Sequence, residues 1–318
     1  MESNHIYDLF GVVIHLTTDS FRIREEARMF LGAHQAKPRA VPAYRLLFKE
    51  SSTLPVFDGV HLRRCHEQDV QMIEHDQRVF FSVAEGVACY NPKDKTCNGS
   101  VLPPSSAEYS RATVPLIHLL VLQIMFAEGF LPLHGSAVDC HGQALVLSGE
   151  KDAGKSTLSL KLHLLGHPLI CDDLLYLRNG DNGLLAGGHC QAVKIKTEEA
   201  GFLTSLCKVA EGRTTVSGKT LFCSKQINSD AINRLYPVRA VVFLKNAASR
   251  GDAKVWADRE MEVLRHLLGD TPLLNTPDYG SRALELFCGT NTCRFYLAQT
   301  STNPDETANE ILNTLNHD

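Results

Sequence analysis

Short apolar runs separated by polar breaks dominate the first hundred residues. Residues 7–16, 44–48, 70–75 and 79–84 read as strands from their β-branched and aromatic content. Asn91-Pro92, Asn98-Gly99 and Pro103-Pro104-Ser105-Ser106 read as turns, and the last of these marks a boundary. The pattern then changes. Residues 106–129 form a long apolar run that reads as a buried helix. Ser110 or Thr113 can cap it, Pro115 suits its first turn, and Gly129 would end it. Beyond it, strands are expected at 135–139, 144–148, 168–171, 192–195 and 240–244. Helices are expected at 158–165, 258–268 and 304–315. Strands and helices mixed in this way predict an α/β or α+β chain. Its organisation is a smaller α+β or mostly β domain at 1–105, a connecting helix at 106–130 and a second domain at 131–318. No internal repeat or low-complexity segment is visible.

Composition narrows the class of partner. The chain of 318 residues is 44% hydrophobic and 21% charged, enough apolar material for a sizeable core. Its net charge of -4, without a dominant basic stretch, argues against nucleic acid as the partner. The first nine residues carry Glu2 and Asp8 and lack a basic segment followed by an apolar one, so no secretory signal is expected. The apolar run at 114–126 is too short to span a membrane and contains Pro115, His118 and Gln123. Ten cysteines occur singly, with no Cys-x-x-Cys pair, and read as free thiols in a reducing cytoplasm. Cys65-His66-Glu67 invites a metal reading, but neighbours along a strand point to opposite faces.

One motif carries specific chemistry. Gly149-Glu150-Lys151-Asp152-Ala153-Gly154-Lys155-Ser156 matches G-x-x-x-x-G-K-[ST] in full, and Thr157 continues it into the expected helix. The glycines let successive backbone N–H groups converge on phosphate oxygens. Lys155 supplies charge to the β- and γ-phosphates, and the Ser156 hydroxyl suits Mg²⁺. An expected strand precedes the motif and an expected helix follows, as such a loop requires. ATP and Mg²⁺ are therefore the expected cofactors. Lys151-Asp152 is bulkier than usual inside such a loop but removes no required group.

Asp172-Asp173 ends the strand expected at 168–171. There one carboxylate can hold Mg²⁺ and the other can take a proton from an attacking hydroxyl; a turn or helix cap is the plainer alternative. His134, ahead of the strand at 135–139, is either an ordinary polar histidine or a group placed to act on a carboxylate or phosphate. Arg213 and Lys219, in the Gly-containing stretch 211–220, fit a solvated loop better than a loop that reaches a phosphate.

Taken together, His134-Gly135-Ser136-Ala137, the loop from Gly149 to Ser156, and Asp172-Asp173 after Gly166-His167-Pro168-Leu169 resemble the HPr serine kinase family. The likeness is to its catalytic domain, over about residues 131–200 and weakly over Tyr236-Pro237 to Leu244. It implies a fold akin to the phosphoenolpyruvate carboxykinase catalytic domain and ATP-dependent phosphorylation of a hydroxyl. By position it makes Lys155 and Ser156 the phosphate and magnesium residues. Asp173 becomes the proton-transferring aspartate, Asp172 its metal-side neighbour, and His134 the histidine close to Asp173. The acidic and arginine members of the family's glycine-rich signature are missing from Gly187-Gly188-His189-Cys190-Gln191-Ala192-Val193-Lys194-Ile195-Lys196. That departure argues against phosphorylase activity and against HPr itself as acceptor. Similar kinases of peptide natural-product pathways, which phosphorylate serine on a precursor peptide, share the departure. The expected acceptor is a hydroxyl-bearing peptide or small protein. A metabolite of sugar type, and a nucleotide-dependent regulator with little transfer activity, are the alternatives. No nucleic-acid or membrane partner is expected, and a homo-oligomer is allowed for.

Overall fold

The computed structural model describes residues 3–37, 41–55, 63–65, 70–103, 112–189, 192–196, 212–214, 219–223, 227–246, 252–257, 277–288, 293–301 and 303–317. The chain divides into two compact units, Met1–Phe130 and Leu131–Asp318.

The described residues of the first unit form an eight-stranded sheet and two α-helices. Its strands are β1 (Ser3–Leu9), β2 (Val12–Thr18), β3 (Tyr44–Glu50), β4 (Arg63–Cys65), β5 (Val70–His75), β6 (Arg78–Val83), β7 (Gly86–Asn91) and β8 (Thr96–Val101), in spatial order β1-β2-β3-β8-β7-β6-β5-β4. Strict alternation in β2 buries Val12, Ile14, Leu16 and Thr18 on one face, the pattern of a sheet covered on one side. Helices α1 (Phe21–Leu31) and α2 (Thr113–Ala127) pack against each other, and α2 lies on β7. α1 starts where the Ser20 hydroxyl accepts from the Ile23 amide at 3.2 Å. It buries Ile23, Ala27, Phe30 and Leu31, one stripe of its surface. Gly129, at φ +87°, ends α2 as expected.

Two expectations fail here. The run at 7–16 is a hairpin, not one strand: Phe10 (φ 55°) and Gly11 (φ 91°) form a two-residue turn, and Asp8 Oδ1 accepts from the Gly11 amide at 2.7 Å. Phe is a poor signal for this turn, which usually favours Asn or Asp before Gly. Conversely, Asn98-Gly99 lies within β8. A Cβ on Gly99 would come within 2.3 Å of the Phe48 ring, so this glycine makes room for a neighbouring side chain and does not turn the chain. Helix α1 carries its signal in the sequence, an apolar stripe preceded by the Ser20 cap.

The second unit is built on β9 (Leu131–His134), β10 (Ser136–Cys140), β11 (Gln143–Gly149), β12 (Leu169–Cys171), β13 (Leu174–Gly180), β14 (Gly183–Gly188), β15 (Ala192–Lys196), β16 (Gly212–Thr214), β17 (Lys219–Cys223), β18 (Tyr236–Lys245), β19 (Lys254–Ala257) and β20 (Arg294–Gln299). Among its described residues the helices are α3 (Lys155–Leu164), α4 (Pro277–Cys288) and α5 (Pro304–His317). β11, β18 and β20 run parallel side by side, with β10 and then β12 beyond β11. β18 also pairs with β14 and so joins the antiparallel β9–β13–β14 set. β15, β17 and β16 form a separate small sheet. Arg213 and Lys219 therefore belong to strands rather than to a loop.

Ala144 to Gly149 and Ala240 to Leu244 are buried without interruption, which is why these stretches read as continuous apolar runs. α3 packs with α5, joined by a Lys161–Asp305 ion pair, over Leu145, Leu147, Val242 and Leu244. The Arg239 guanidinium donates to the Leu315 carbonyl at 2.6 Å and ties α5 to β18. The helix expected at 258–268 lies outside the described residues, as do His66 and Glu67. Among the described residues no helix is long and apolar enough to cross a membrane, and six cysteines are free thiols. Burial pushes the Cys140 thiol up to about 11 and that of Cys97 further, so these two are inert packing groups.

Candidate functional site

The topology of the second unit gathers three separate segments at one end of its sheet. β10 runs antiparallel to both β11 and β12, so the end of β11, the end of β12 and the start of β10 share an edge. The loop 149–156 leaves β11 there, Asp172 and Asp173 leave β12 there, and His134 and Gly135 precede β10 there. Backbone pairing draws the last two together: His134 is paired with Leu174, and the Gly135 amide donates to the Asp173 carbonyl at 3.3 Å. Glycine is required at 135, because a Cβ would sit 2.6 Å from the Leu147 carbonyl oxygen.

Within the loop, Gly149 adopts φ 151°, Asp152 φ 62° and Gly154 φ 86°. Gly149 also lies so close to β18 that a Cβ would meet the Leu244 carbonyl oxygen at 2.4 Å. Gly154 is the residue before α3, whose first turn holds Lys155, Ser156 and Thr157. The loop thus delivers a helix N-terminus and its amides to one point. Lys155 Nζ donates to the carbonyls of Gly149 at 2.7 Å and Glu150 at 3.0 Å, so its charge is held across the mouth of the loop.

Ser156 and Asp172 meet directly. Ser156 Oγ donates to Asp172 Oδ1 at 2.8 Å, and Asp172 is buried. A hydroxyl oxygen and a carboxylate, both hard donors beside a phosphate-binding loop, fit Mg²⁺, which takes one or two protein oxygens and completes its shell with phosphate and water. Asp173 is only partly buried and holds φ 78°, a left-handed conformation uncommon for a side-chain-bearing residue. His134 Nδ1 lies 2.9 Å from the Asp173 carbonyl and 3.2 Å from Asp173 Oδ1. Both neighbours are acceptors, which assigns a hydrogen to Nδ1. Strained backbone of this kind clusters at functional sites.

The loop from Gly149 to Thr157, Asp172, Asp173 and His134 are therefore at this edge, whereas Arg213 and Lys219 lie in the separate small sheet. Sequence reasoning missed two groups. Gly188, in β14, approaches β12 so closely that a Cβ would lie 2.5 Å from the Cys171 Cβ. Asn246, just past β18, bonds to Glu150 and Lys151 of the loop. Nothing in the sequence joins Asn246 to a loop some ninety-five residues earlier.

No family model matches the chain. Over 112 residues it is 30% identical to the HPr kinase/phosphorylase of Geobacter sulfurreducens, covering 31% of this chain and 35% of that protein. Over 107 residues it is 34% identical to the HPr kinase/phosphorylase of Prosthecochloris aestuarii, covering 30% and 31%. Over 82 residues it is 41% identical to that of Chloroherpeton thalassium, covering 25% and 24%. The chain thus spans about a third or less of the length of these curated relatives. The solved structure of the Hpr(Ser) kinase/phosphatase from Coxiella burnetii aligns with a TM-score of 0.31 and 14% identity, covering 57% of this chain and 95% of that one.

Proposed function

We propose that this HPr-kinase-related chain is an ATP- and Mg²⁺-dependent kinase that transfers the γ-phosphoryl group to a serine or threonine hydroxyl of a peptide or small protein. The observation that carries the reading is the meeting, at one sheet edge, of the Ser156–Asp172 pair at 2.8 Å and the His134–Asp173 pair at 3.2 Å beside a complete P-loop. The similar proteins, named HPr kinase/phosphorylases, support transfer to a hydroxyl.

In this reading the loop amides and Lys155 hold the nucleotide phosphates, Lys155 exchanging its two carbonyl partners for phosphate oxygens. Ser156 and Asp172 hold Mg²⁺, which when bound neutralises charge on the phosphoryl oxygens. Asp173 faces the acceptor. A hydroxyl is a weak nucleophile until its proton has a destination, and the Asp173 carboxylate provides one. As the acceptor oxygen bonds to phosphorus, its proton passes to Asp173 and ADP leaves. His134 orients that carboxylate through Nδ1–H. The altered segment from Gly187 to Lys196 argues for the kinase direction alone, and the free thiols for a reducing cytoplasm.

The direct test is to incubate the purified chain with Mg²⁺-ATP and serine-containing peptides, with sugars in parallel, and to identify products by mass spectrometry. Phosphorylated peptide is the expected result. Phosphorylated sugar, or no transfer despite ATP binding, overturns the acceptor class or the kinase reading respectively.

A further inference from the structure

The first half of the phosphate loop is bound to β18. Gly149 pairs with Leu244 at the end of the parallel β11–β18 ladder, and the Glu150 amide extends that ladder by donating to the Leu244 carbonyl at 3.2 Å. Two residues on, the Asn246 amide donates to Glu150 Oε2 at 3.3 Å, and Asn246 Nδ2 donates to the Lys151 carbonyl at 3.1 Å. Asn246 is itself fixed from behind. The preceding carbonyl, that of Lys245, accepts from both the amide and the hydroxyl of Thr300, at 3.2 and 3.3 Å.

We propose that Asn246 is a positioning residue that, with Glu150, clasps the loop and presets it for nucleotide phosphates; this deepens the nucleotide-binding reading above and rests on it. The argument is one of peptide geometry. In a trans peptide the carbonyl and the following N–H point in opposite directions. Holding the Lys151 carbonyl against Asn246 therefore turns the Asp152 N–H the other way. Asp152, at φ 62°, then continues in the left-handed conformation, and the Ala153 amide that follows closes the turn on the Glu150 carbonyl at 3.2 Å. Amides already turned toward the ligand lose less conformational freedom on binding, which raises affinity without new contacts. The clasp also directs the Glu150 carboxylate toward β18, where it does not repel phosphate. An exposed asparagine bonded across some ninety-five residues to a phosphate loop has no comparable purpose as a surface residue.

The probe is a fluorescent ADP analogue with Mg²⁺, titrated into the full chain carrying Asn246→Ala, Asn246→Asp, Glu150→Gln or Lys155→Ala. Asn246→Ala removes one hydrogen bond and should weaken binding about three- to tenfold. Asn246→Asp sets an acceptor against the Lys151 carbonyl and should weaken it further. Glu150→Gln leaves the Asn246 amide only an uncharged acceptor and should weaken binding less than Asn246→Ala. Hydrogen exchange of the ligand-free loop amides should quicken in the two Asn246 variants, while melting temperatures stay within a few degrees. Unchanged affinity and exchange in both Asn246 variants, with binding lost in Lys155→Ala, overturns the clasp alone. Unchanged binding in Lys155→Ala overturns the nucleotide reading of the loop itself. If Asn246→Ala fails to fold, Asn246→Ser, which retains a short donor, decides by the same two readouts.

Discussion

Ser156 Oγ donates to Asp172 Oδ1 at 2.8 Å, joining the first turn of α3 to the residue that follows β12. The two groups come from separate elements and are held by a sheet rather than by a shared loop. Asp172 is buried, so its carboxylate has few orientations open to it.

Asp172→Asn should raise the Mg²⁺ concentration needed for half-maximal nucleotide binding by about 10–100-fold. Ser156→Ala should do the same to a smaller degree, since a neutral oxygen contributes less than a carboxylate. Magnesium titrations at fixed nucleotide measure both, and equal magnesium dependence in all three proteins would remove this pair from the metal site.

Lys155→Ala should cost roughly ten- to a hundredfold in ATP affinity, the loss of charged hydrogen bonds to phosphate. Calorimetric titration checks it. Unaltered affinity would mean that the loop does not hold phosphate.

Asp173 allows chemistry and backbone conformation to be separated. Asp173→Asn should lower the transfer rate about 10²–10⁴-fold with ATP binding intact. Asp173→Gly should lose rate equally yet melt no lower than the parent, because glycine adopts φ 78° without penalty. Normal turnover in Asp173→Asn would return the residue to a structural turn.

His163 supplies a pH dependence of stability. Burial lowers its pKa below the ordinary 6.5, and its Nδ1 accepts from the Leu169 amide at 3.3 Å. Below 6.5 the unfolded chain therefore takes up the proton before the folded one does. Its contribution is complete above about pH 6.5 and falls as the pH drops toward the folded-state value. Urea midpoints at pH 7.5 and 5.5 should differ less in His163→Gln than in the parent chain. An equal difference would locate the pH sensitivity elsewhere.

The loop pattern, the apolar run before it and the Asp pair were legible because each depends on local chemistry: glycines that must bend, an apolar strand buried on both faces, carboxylates ending a strand. β5, β11, β12 and α5 were read nearly to their ends for the same reason. The turn at Phe10-Gly11 was not, since an atypical residue is tolerated there once β1 and β2 pair. Gly99 misled in the opposite sense: the Phe48 ring decides that glycine, and that ring lies some fifty residues away.

By itself, the sequence singled out the side chains of the proposed site: Lys155, Ser156, Asp172, Asp173 and His134. The tertiary structure alone decided how they are held. The αL backbone of Asp173, the two-point contact from His134, the close approach of Gly135 to Leu147 and the hold of Asn246 on the loop all arise from strand pairing. Pairing joins residues by register across a sheet, and register depends on the burial of whole faces, which no local motif encodes.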